Sequence, residues 1–344
     1  MRQTHRLTIG LSLLFLCQCP IAGMAEDVDL LPKGAFTFAV LPDTQAYVSA
    51  KSEATFAAEI DWILKHRDSQ NIRFVSHVGD IVGDYGSDSE WKVAQRQMSK
   101  LKGHIPFAIS PGNHDMRSSG DSTTFQKVFP AAHFNSFKWY AGQIKNNANS
   151  FQLFSVGRFR FVWLHMECNA PDDVLHWANG VLAQHADRRA LITTHMYLGP
   201  RDRPQKASDY YDAPKGRMLW HKTHGTKGNT PEQLWEKCFS QHRNIFLVCC
   251  GDQSRTQTMH LPAKGKHGNV VHACLSDYRG GNFRLYRFLP GSNKIRVITY
   301  SATARALCRG TRIAPDASSH QFEFSYAMEE QRVPATPHQR RDSR

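Results

Sequence analysis

Several common signatures are missing from this sequence of 344 residues. No Gly-x-Ser-x-Gly motif is present, which argues against a serine hydrolase with a nucleophile elbow. No zinc-finger, RNP-type or basic heptad pattern occurs, so no known nucleic-acid-binding module is indicated. There is no internal repeat, and no Pro/Gly/Ser-rich linker separates the chain into parts. The length allows one large α/β domain or two small ones.

Acidic residues are comparatively few. The chain has 30 Asp and Glu residues against 43 Lys and Arg residues, which gives a formal net charge of +13 at pH 7. Such a charge favours anionic partners, namely phosphate esters, nucleic acids or other anionic polymers. A solvated basic surface without a partner explains the same charge equally well, so composition alone assigns no function.

Long apolar runs are also scarce, and the clearest one lies at the N-terminus. Arg2 and Arg6 flank the start of an apolar stretch at residues 7–16, and Gly23-Met24-Ala25 is typical of a signal-peptidase site. The stretch is shorter than the roughly 20 residues that span a bilayer. We therefore predict a signal peptide at residues 1–25 and an exported chain, periplasmic or secreted, without a transmembrane segment. An uncleaved membrane anchor is the alternative.

Cysteine spacing indicates no metal site. Six of the eight cysteines follow the predicted signal peptide, and their spacings match no zinc motif. Export would permit disulfides, although the sequence does not define the pairs. Cys249 and Cys250 end an apolar run, so buried free thiols are expected there.

Strand-like and helical patterns alternate in the first half of the chain and favour a parallel sheet with crossover helices. The second half is rich in strands. The predicted strands lie at residues 35–41, 72–78, 105–109, 151–156, 159–166, 190–194, 244–250, 270–275, 283–288, 295–300 and 322–326. This order indicates two packed sheets in one domain at residues 35–328, with helices on both outer faces. We predict a basic, aromatic loop at residues 200–230 beside the site, and a disordered basic tail at residues 331–344.

Four short motifs follow four of these strands. They are Pro-Asp-Thr-Gln (42–45), Gly-Asp-Ile-Val-Gly-Asp (79–84), Gly-Asn-His-Asp (112–115) and Thr-Thr-His (193–195). Because binding sites form beyond the carboxyl ends of parallel strands, we expect four side chains to meet at one edge: Asp43, Asp80, Asn113 and His195. Carboxylates gathered there repel one another unless a cation lies between them. Oxygen and imidazole ligands together suit Mn, Fe or Zn.

Each motif also has a structural explanation. Turn chemistry accounts for Asp43, a tight glycine turn for residues 79–84, and a satisfied buried imidazole for His195. Their shared position after strands favours the metal site. Asp80 is then best placed to bridge two cations, and His114 to donate a proton or to stabilise the ester oxygen.

These motifs resemble those of the calcineurin-like metallophosphoesterase superfamily, over about residues 35–326. The resemblance implies a four-layer α/β/β/α sandwich of two mixed sheets, one or two divalent metal ions, and a phosphate-ester substrate. It implies that Asp43 binds the first metal, that Asp80 bridges both, and that Asn113 and His195 bind the second. It also implies that Asn113 and His114 contact the substrate. The later stretches Leu275-Ser276-Asp277-Tyr278 and Thr299-Tyr300-Ser301 also look like a secreted bacterial subgroup whose first motif is Asp-Thr-Gln.

Two positions depart from the superfamily pattern. Gln45 stands where the first motif usually has histidine, and Gly251-Asp252-Gln253-Ser254 replaces the usual Gly-His-x-His. Asp252 remains a candidate metal ligand and Gln45 a weaker one, whereas Ser254 is a poor ligand. The first site should therefore bind metal more weakly and prefer harder ions such as Mn²⁺ or Mg²⁺. Arg255 is a candidate phosphate contact, or alternatively an exposed structural arginine.

The sequence thus predicts an exported metal-dependent phosphoesterase that hydrolyses mono- or diesters by in-line attack of metal-bound hydroxide. The altered final motif motivates an alternative, a catalytically impaired protein on the same fold that binds anionic ligands. A surface protein that binds polysaccharide or nucleic acid rests on charge alone. The intact Gly-Asn-His-Asp motif favours the enzyme, because a pure binder has no need of His114.

Overall fold

The computed structural model describes residues 28–205 and 220–328. The predicted signal peptide, residues 206–219 of the predicted basic loop and the predicted tail lie outside the described residues. Within the described ranges, no helix combines the length and apolarity that a bilayer span requires.

The first sheet has seven strands, three of them parallel neighbours from the first third of the chain. Along the sheet the order is β13-β12-β11-β1-β2-β3, and β14 also pairs with β12. The strands are β1 (Phe36–Leu41), β2 (Ile72–His77), β3 (Phe107–Ile109), β11 (Asn282–Leu289), β12 (Lys294–Ser301), β13 (Ala306–Leu307) and β14 (Gln321–Ser325).

The second sheet also has seven strands, in the order β4-β5-β6-β7-β8-β10-β9. Its central strands β6, β7, β8 and β10 run parallel to one another, and both edges are antiparallel. The strands are β4 (Tyr140–Ile144), β5 (Asn149–Val156), β6 (Phe159–His165), β7 (Arg189–Thr193), β8 (Ile245–Cys250), β9 (Thr258–Lys264) and β10 (Val270–Ser276).

Amphipathic helices cover the outer face of each sheet. Helix α1 buries Phe56, Ile60 and Ile63 against the first sheet, and α2 begins at Ser87, whose side chain accepts a hydrogen bond from the Glu90 N–H. Helix α4 buries Val174 and its neighbours on the second sheet. The helices are α1 (Glu53–Lys65), α2 (Asp88–Ser99), α3 (Thr123–Val128), α4 (Asp172–Gln184), α5 (His221–His224) and α6 (Pro231–Lys237).

An aromatic core fills the space between the two sheets. Phe38 meets Phe161 edge-on with ring centroids 5.2 Å apart, and Phe74 stacks on Trp163 at 4.8 Å. With separate apolar clusters under the helices on either side, the layers are α/β/β/α. The predicted sandwich of two mixed sheets is confirmed. All six described cysteines are buried free thiols, including Cys249 and Cys250.

A buried carboxyl lies beneath the first strand end. Glu59 of α1 is fully buried, its Oε1 accepts a hydrogen bond from Tyr47 Oη at 3.0 Å, and its Oε2 has no hydrogen-bond partner. Burial raises the pKa of Glu59 well above its usual value, although the bond from Tyr47 acts in the opposite direction. The folded state therefore favours the protonated acid.

We expect Glu59→Gln to stabilise the protein at pH 8 more than at pH 5. The raised pKa of Glu59 gives a contribution to stability that is complete below the unfolded pKa of about 4.3 and is lost as pH rises through the folded pKa. The neutral amide avoids that loss and can still accept from Tyr47. Thermal midpoints of both proteins at the two pH values test this. Asp61→Asn, on an exposed position of the same helix, is the control, and an equal pH response of all three proteins would contradict the prediction.

Candidate metal centre

Six polar side chains converge where six parallel strands end. Asp43, Asp80 and Asn113 follow β1, β2 and β3 of the first sheet. The second sheet contributes three more after β7, β8 and β10, namely His195, Asp252 and Asp277. Because the parallel strands of both sheets end at the same side of the sandwich, residues far apart in sequence meet there. All six are at least largely buried, and His195 is fully so.

His195 lies at the centre of this cluster. Its Nε2 is 3.2 Å from Asp80 Oδ1, 3.8 Å from Asp252 Oδ1 and 3.9 Å from Asp43 Oδ2. Its Nδ1–H donates to the carbonyl of Val78 at 3.0 Å, which turns Nε2 toward the carboxyls. Single ligand atoms of Asp43, Asp80 and His195 all lie within 4.8 Å of one another, a spacing that could hold a metal ion.

The carboxyls disturb one another strongly. Burial raises the pKa of Asp43, and the neighbouring Asp277 raises it further. Burial likewise raises the pKa of Asp277 to about 7 and that of Asp252 to about 6. Asp80 differs: burial raises its pKa, but the charge and hydrogen bonds of His195 and His114 together lower it below the usual value. Four carboxyls therefore cannot all be charged here without a positive partner.

The residues present fit a divalent cation. Asp43 Oδ1 is buried and receives no hydrogen bond from the described N–H and O–H groups, while its Oδ2 accepts from the Asp252 N–H at 3.1 Å. Among the neighbouring charged groups, Asp277 has the largest effect on the pKa of Asp43, so the two carboxyls are best accommodated by a shared proton or a cation. The donor atoms are carboxylate oxygens and one imidazole nitrogen, which are ligands that Mn, Fe and Zn accept.

Two predicted ligands present nitrogen rather than oxygen to the cluster. Gln45 Nε2 donates to Asp80 Oδ2 at 3.1 Å. The Asn113 amide is best satisfied when its nitrogen donates to Asp252 Oδ1 at 2.9 Å and its oxygen accepts from Lys222 Nζ at 3.3 Å. A bound cation would favour the opposite orientation of the Asn113 amide, with the oxygen facing inward.

His114 is anchored beside Asp80. Its backbone N–H donates to Asp80 Oδ1 at 2.9 Å, and its ring Nδ1–H donates to the carbonyl of Gly83 at 2.7 Å. This bond assigns the proton to Nδ1, so Nε2 is the ring atom that can take up and release a proton.

Other predicted residues lie farther out. Arg255 is exposed and lines a cavity at the rim with Ser254, so neither belongs to the carboxyl cluster.

His77, which we expected to be structural, bonds through Nε2 to Thr44 Oγ1 at 3.1 Å and accepts at Nδ1 from the Gly79 N–H at 3.1 Å. It therefore connects the first two strand ends.

Sequence reasoning missed three residues of this region: Asp277, Lys222 and Asp115. Asp277 follows an apolar strand, as the predicted ligands do, and that position was a usable signal. Lys222 lies in the basic loop predicted beside the site at residues 200–230, but it was not singled out as a contact of Asn113. Asp115 belongs to the predicted Gly-Asn-His-Asp motif but lacked an assigned role.

Asp115 joins the second and third strand ends. Its Oδ2 accepts from the N–H groups of Gly112 at 2.8 Å and Ile81 at 3.2 Å, and its Oδ1 from Val82 at 3.1 Å. Gly112 packs so closely that a Cβ there would overlap Asp80 N and Oδ1. Asp80 itself has a φ of 49°, an uncommon value for a residue with a side chain. The Asp80 carboxylate is thus held by a tightly built pair of turns.

We expect Asp115→Ala to lower the free energy of unfolding by about 3 kcal/mol or more, because three backbone donors lose their acceptor in a buried site. Urea denaturation in the presence of a chelator measures this without a contribution from metal. Asp121→Ala is the matched control, since the half-exposed Asp121 carboxylate accepts from Thr123 N–H and Tyr85 Oη near the start of α3 and pairs with the exposed Arg117. That control should cost about 1 kcal/mol. Equal losses in the two variants would show that Asp115 does not brace the turns.

The sequence matches a known family over this region. The profile of calcineurin-like phosphoesterases covers residues 36–225, which include the strand ends from Asp43 to His195. A Bacillus subtilis protein named YvnB, itself uncharacterized, is 29% identical over 281 residues. Those residues are 78% of this chain and 20% of that protein, so the chain spans about a fifth of its relative.

Solved structures are similar to this chain at low sequence identity. A purple acid phosphatase from yellow lupin seeds aligns with a TM-score of 0.52 at 12% identity, over 86% of this chain and 55% of that one. A 5'-nucleotidase precursor from Thermus thermophilus aligns with a TM-score of 0.45 at 11% identity, over 82% of this chain and 56% of that one. The chain therefore spans about half the length of the lupin enzyme, and this similarity shows the fold alone.

Proposed function

Because the chain belongs to the calcineurin-like phosphoesterase family, we propose that it is an exported, metal-dependent hydrolase of phosphate mono- or diesters. One observation carries the proposal: the ends of six strands gather metal-type ligands around His195, and His114 is bonded to the central carboxylate. Export rests on the predicted signal peptide at residues 1–25.

The metal would be held by oxygen atoms and one imidazole. Asp80, bonded to His114 and nearest to His195, would be the central ligand, and the others would be Asp43, Asn113, His195, Asp252 and Asp277. When bound, divalent ions lower the pKa of water and neutralise the charge of a phosphate ester. In their absence His195 supplies the positive charge, since burial lowers its pKa but the carboxylates of Asp80 and Asp43 raise it well above the usual value.

His114 is the proposed proton donor to the leaving oxygen. The bond from Nδ1–H to Gly83 fixes the ring, and the bond from its backbone to Asp80 fixes the position of the ring relative to the cluster. Nε2 then carries the proton that a departing alkoxide needs. The exposed Lys222 ammonium near Asn113 adds positive charge where an anionic ester would enter.

We expect the purified chain to bind Mn, Fe or Zn and to hydrolyse p-nitrophenyl phosphate, bis-p-nitrophenyl phosphate or both. Asp80→Asn and Asn113→Ala should each lower kcat at least about 100-fold, with loss of bound metal, because both remove a ligand. His114→Ala should lower kcat about 100-fold or more on an alkyl phosphate ester, whose departing alkoxide needs the proton, with metal content unchanged. Elemental analysis and initial rates for each variant provide the measurement.

The exposed Asp84, in the same Gly-Asp-Ile-Val-Gly-Asp motif as Asp80, serves as the control. Asp84→Asn should change neither kcat nor metal content. No turnover with any of the metals would favour the alternative, a catalytically impaired protein that binds anions. Turnover that survives Asp80→Asn and Asn113→Ala unchanged would rule out this site as the source of activity.

Asp277 gives a second test of the ligand set. We expect Asp277→Asn to raise the thermal midpoint of the metal-free protein, because it removes one of several mutually repelling carboxyls. The same change should reduce the increase in midpoint that Mn²⁺ produces, because a ligand is lost. Differential scanning fluorimetry with chelator and with Mn²⁺ measures both, with Asp84→Asn as the control. A full Mn²⁺ effect in Asp277→Asn would remove Asp277 from the ligand set.

A further inference from the structure

A cavity of about 380 Å³ opens at the rim of the carboxyl cluster, and arginines dominate its wall. Arg255, Arg279 and Arg312 come from three separate segments, and Ser254, Gln257 and Ile313 complete the lining. All three arginines are exposed. Within residues 28–205 and 220–328, no carboxylate forms an ion pair with any of them. Three guanidinium groups around one cavity repel each other unless an anion lies between them.

Gln257 holds the three segments together. Its backbone carbonyl accepts from the Asp277 N–H at 2.9 Å, and its side-chain Oε1 accepts from Thr311 Oγ1 at 2.5 Å. Its own N–H donates to the carbonyl of Gln253 at 2.7 Å. Gln257 is largely buried and has a φ of 66°, a conformation that costs energy and persists only where surrounding bonds enforce it.

Hydrogen bonds also fix the backbone of the segment that carries Arg312. Thr311 Oγ1 accepts from the N–H groups of Ile313 at 3.2 Å and Ala314 at 2.9 Å, which closes a tight turn around Arg312. The three arginines therefore project from braced backbone, so the cost of ordering them around a ligand is reduced.

The cavity borders the metal site through the chain itself. Arg279 follows Asp277 by two residues, so their Cα atoms are at most about 7 Å apart. Arg255 follows Asp252 by three residues, at most about 11 Å in extended chain. A molecule with a phosphate at the carboxyl cluster could therefore reach this cavity with a second group.

We infer that the cavity binds a second phosphate group, carried by the leaving part of the substrate. This inference rests on the proposed function, and it narrows the substrate to esters with at least two phosphates. Arginine pairs with phosphate oxygens through two parallel hydrogen bonds. A phosphate dianion is a better ligand for three guanidinium groups than a carboxylate with a single negative charge. The volume is in the range of ligand pockets and exceeds what one phosphate fills, which leaves room for part of the leaving group.

The test compares adenosine 3',5'-bisphosphate with adenosine 5'-monophosphate, using the full mature chain loaded with Mn²⁺. Arg279→Gln and Arg312→Gln, singly and together, should lower kcat/KM for the bisphosphate about tenfold each relative to the monophosphate. Arg158→Gln is the matched control. Arg158 is exposed and lies in the turn between β5 and β6, at the opposite end of the parallel strands from the carboxyl cluster. It should leave the ratio of the two substrates unchanged.

Binding by calorimetry separates this inference from the proposed activity. If neither nucleotide is hydrolysed but the bisphosphate Kd still rises about tenfold in the arginine variants, the activity fails and the cavity assignment stands. If hydrolysis proceeds and the ratio of substrates is unchanged in Arg279→Gln/Arg312→Gln, the cavity assignment is overturned. Inorganic phosphate serves as a third ligand. Equal, arginine-dependent affinity for inorganic phosphate and bisphosphate would also overturn it, since the cavity would then hold free phosphate rather than a second group of the substrate.

Discussion

Repulsion among four buried carboxyls is the constraint around which the rest of the site is arranged. Asp43, Asp80, Asp252 and Asp277 surround the imidazole of His195, and burial alone would keep most of them protonated. Such a group is costly to keep in a fold that needs only stability, because neutral side chains would fill the same space at lower energy. The cluster makes physical sense where a bound cation offsets the repulsion among the carboxylates. The same carboxylates raise the pKa of His195, so that without metal a protonated imidazole supplies the positive charge.

The sandwich supplies what this arrangement needs, namely two sets of parallel strands that end at one side. Ligands from both sheets can then meet although they are far apart in sequence, as the bond from Asp252 N–H to Asp43, 209 residues earlier, demonstrates. The turns that carry them are rigid for local reasons: the three bonds to Asp115 and the absence of a side chain at Gly112. Rigid turns matter because a ligand displaced by a fraction of an ångström loses much of its affinity for metal.

The sequence was most informative where apolar runs and polar strand ends are adjacent. Asp43, Asp80, Asn113 and His195 all follow strongly apolar strands, so their meeting could be predicted. Strands β4 and β9 were missed because both are half-exposed edges, and β9 contains Pro262, which argues against a strand. Asp277 follows an equally apolar strand but was given no role, because no neighbouring glycine or histidine draws attention to it. The contacts of Gln257 and Lys222 depend on tertiary structure and have no local pattern.

One departure from the superfamily pattern adds negative charge to the site. Asp252 stands where histidine is usual, whereas Gln45 is neutral and offers an amide nitrogen to Asp80. Asp277 adds a further carboxyl, which raises the pKa of Asp43. Because the carboxylate of Asp252 replaces a neutral imidazole, the cluster is more negative and its donor atoms are harder, and we expect a preference for Mn²⁺ or Mg²⁺ over zinc. A more negative centre would also repel a phosphate ester before metal binds. Positive charge at the rim, from Lys222 and the arginines of the cavity, counters that repulsion, so the acidic centre and the basic rim are best understood as one electrostatic unit.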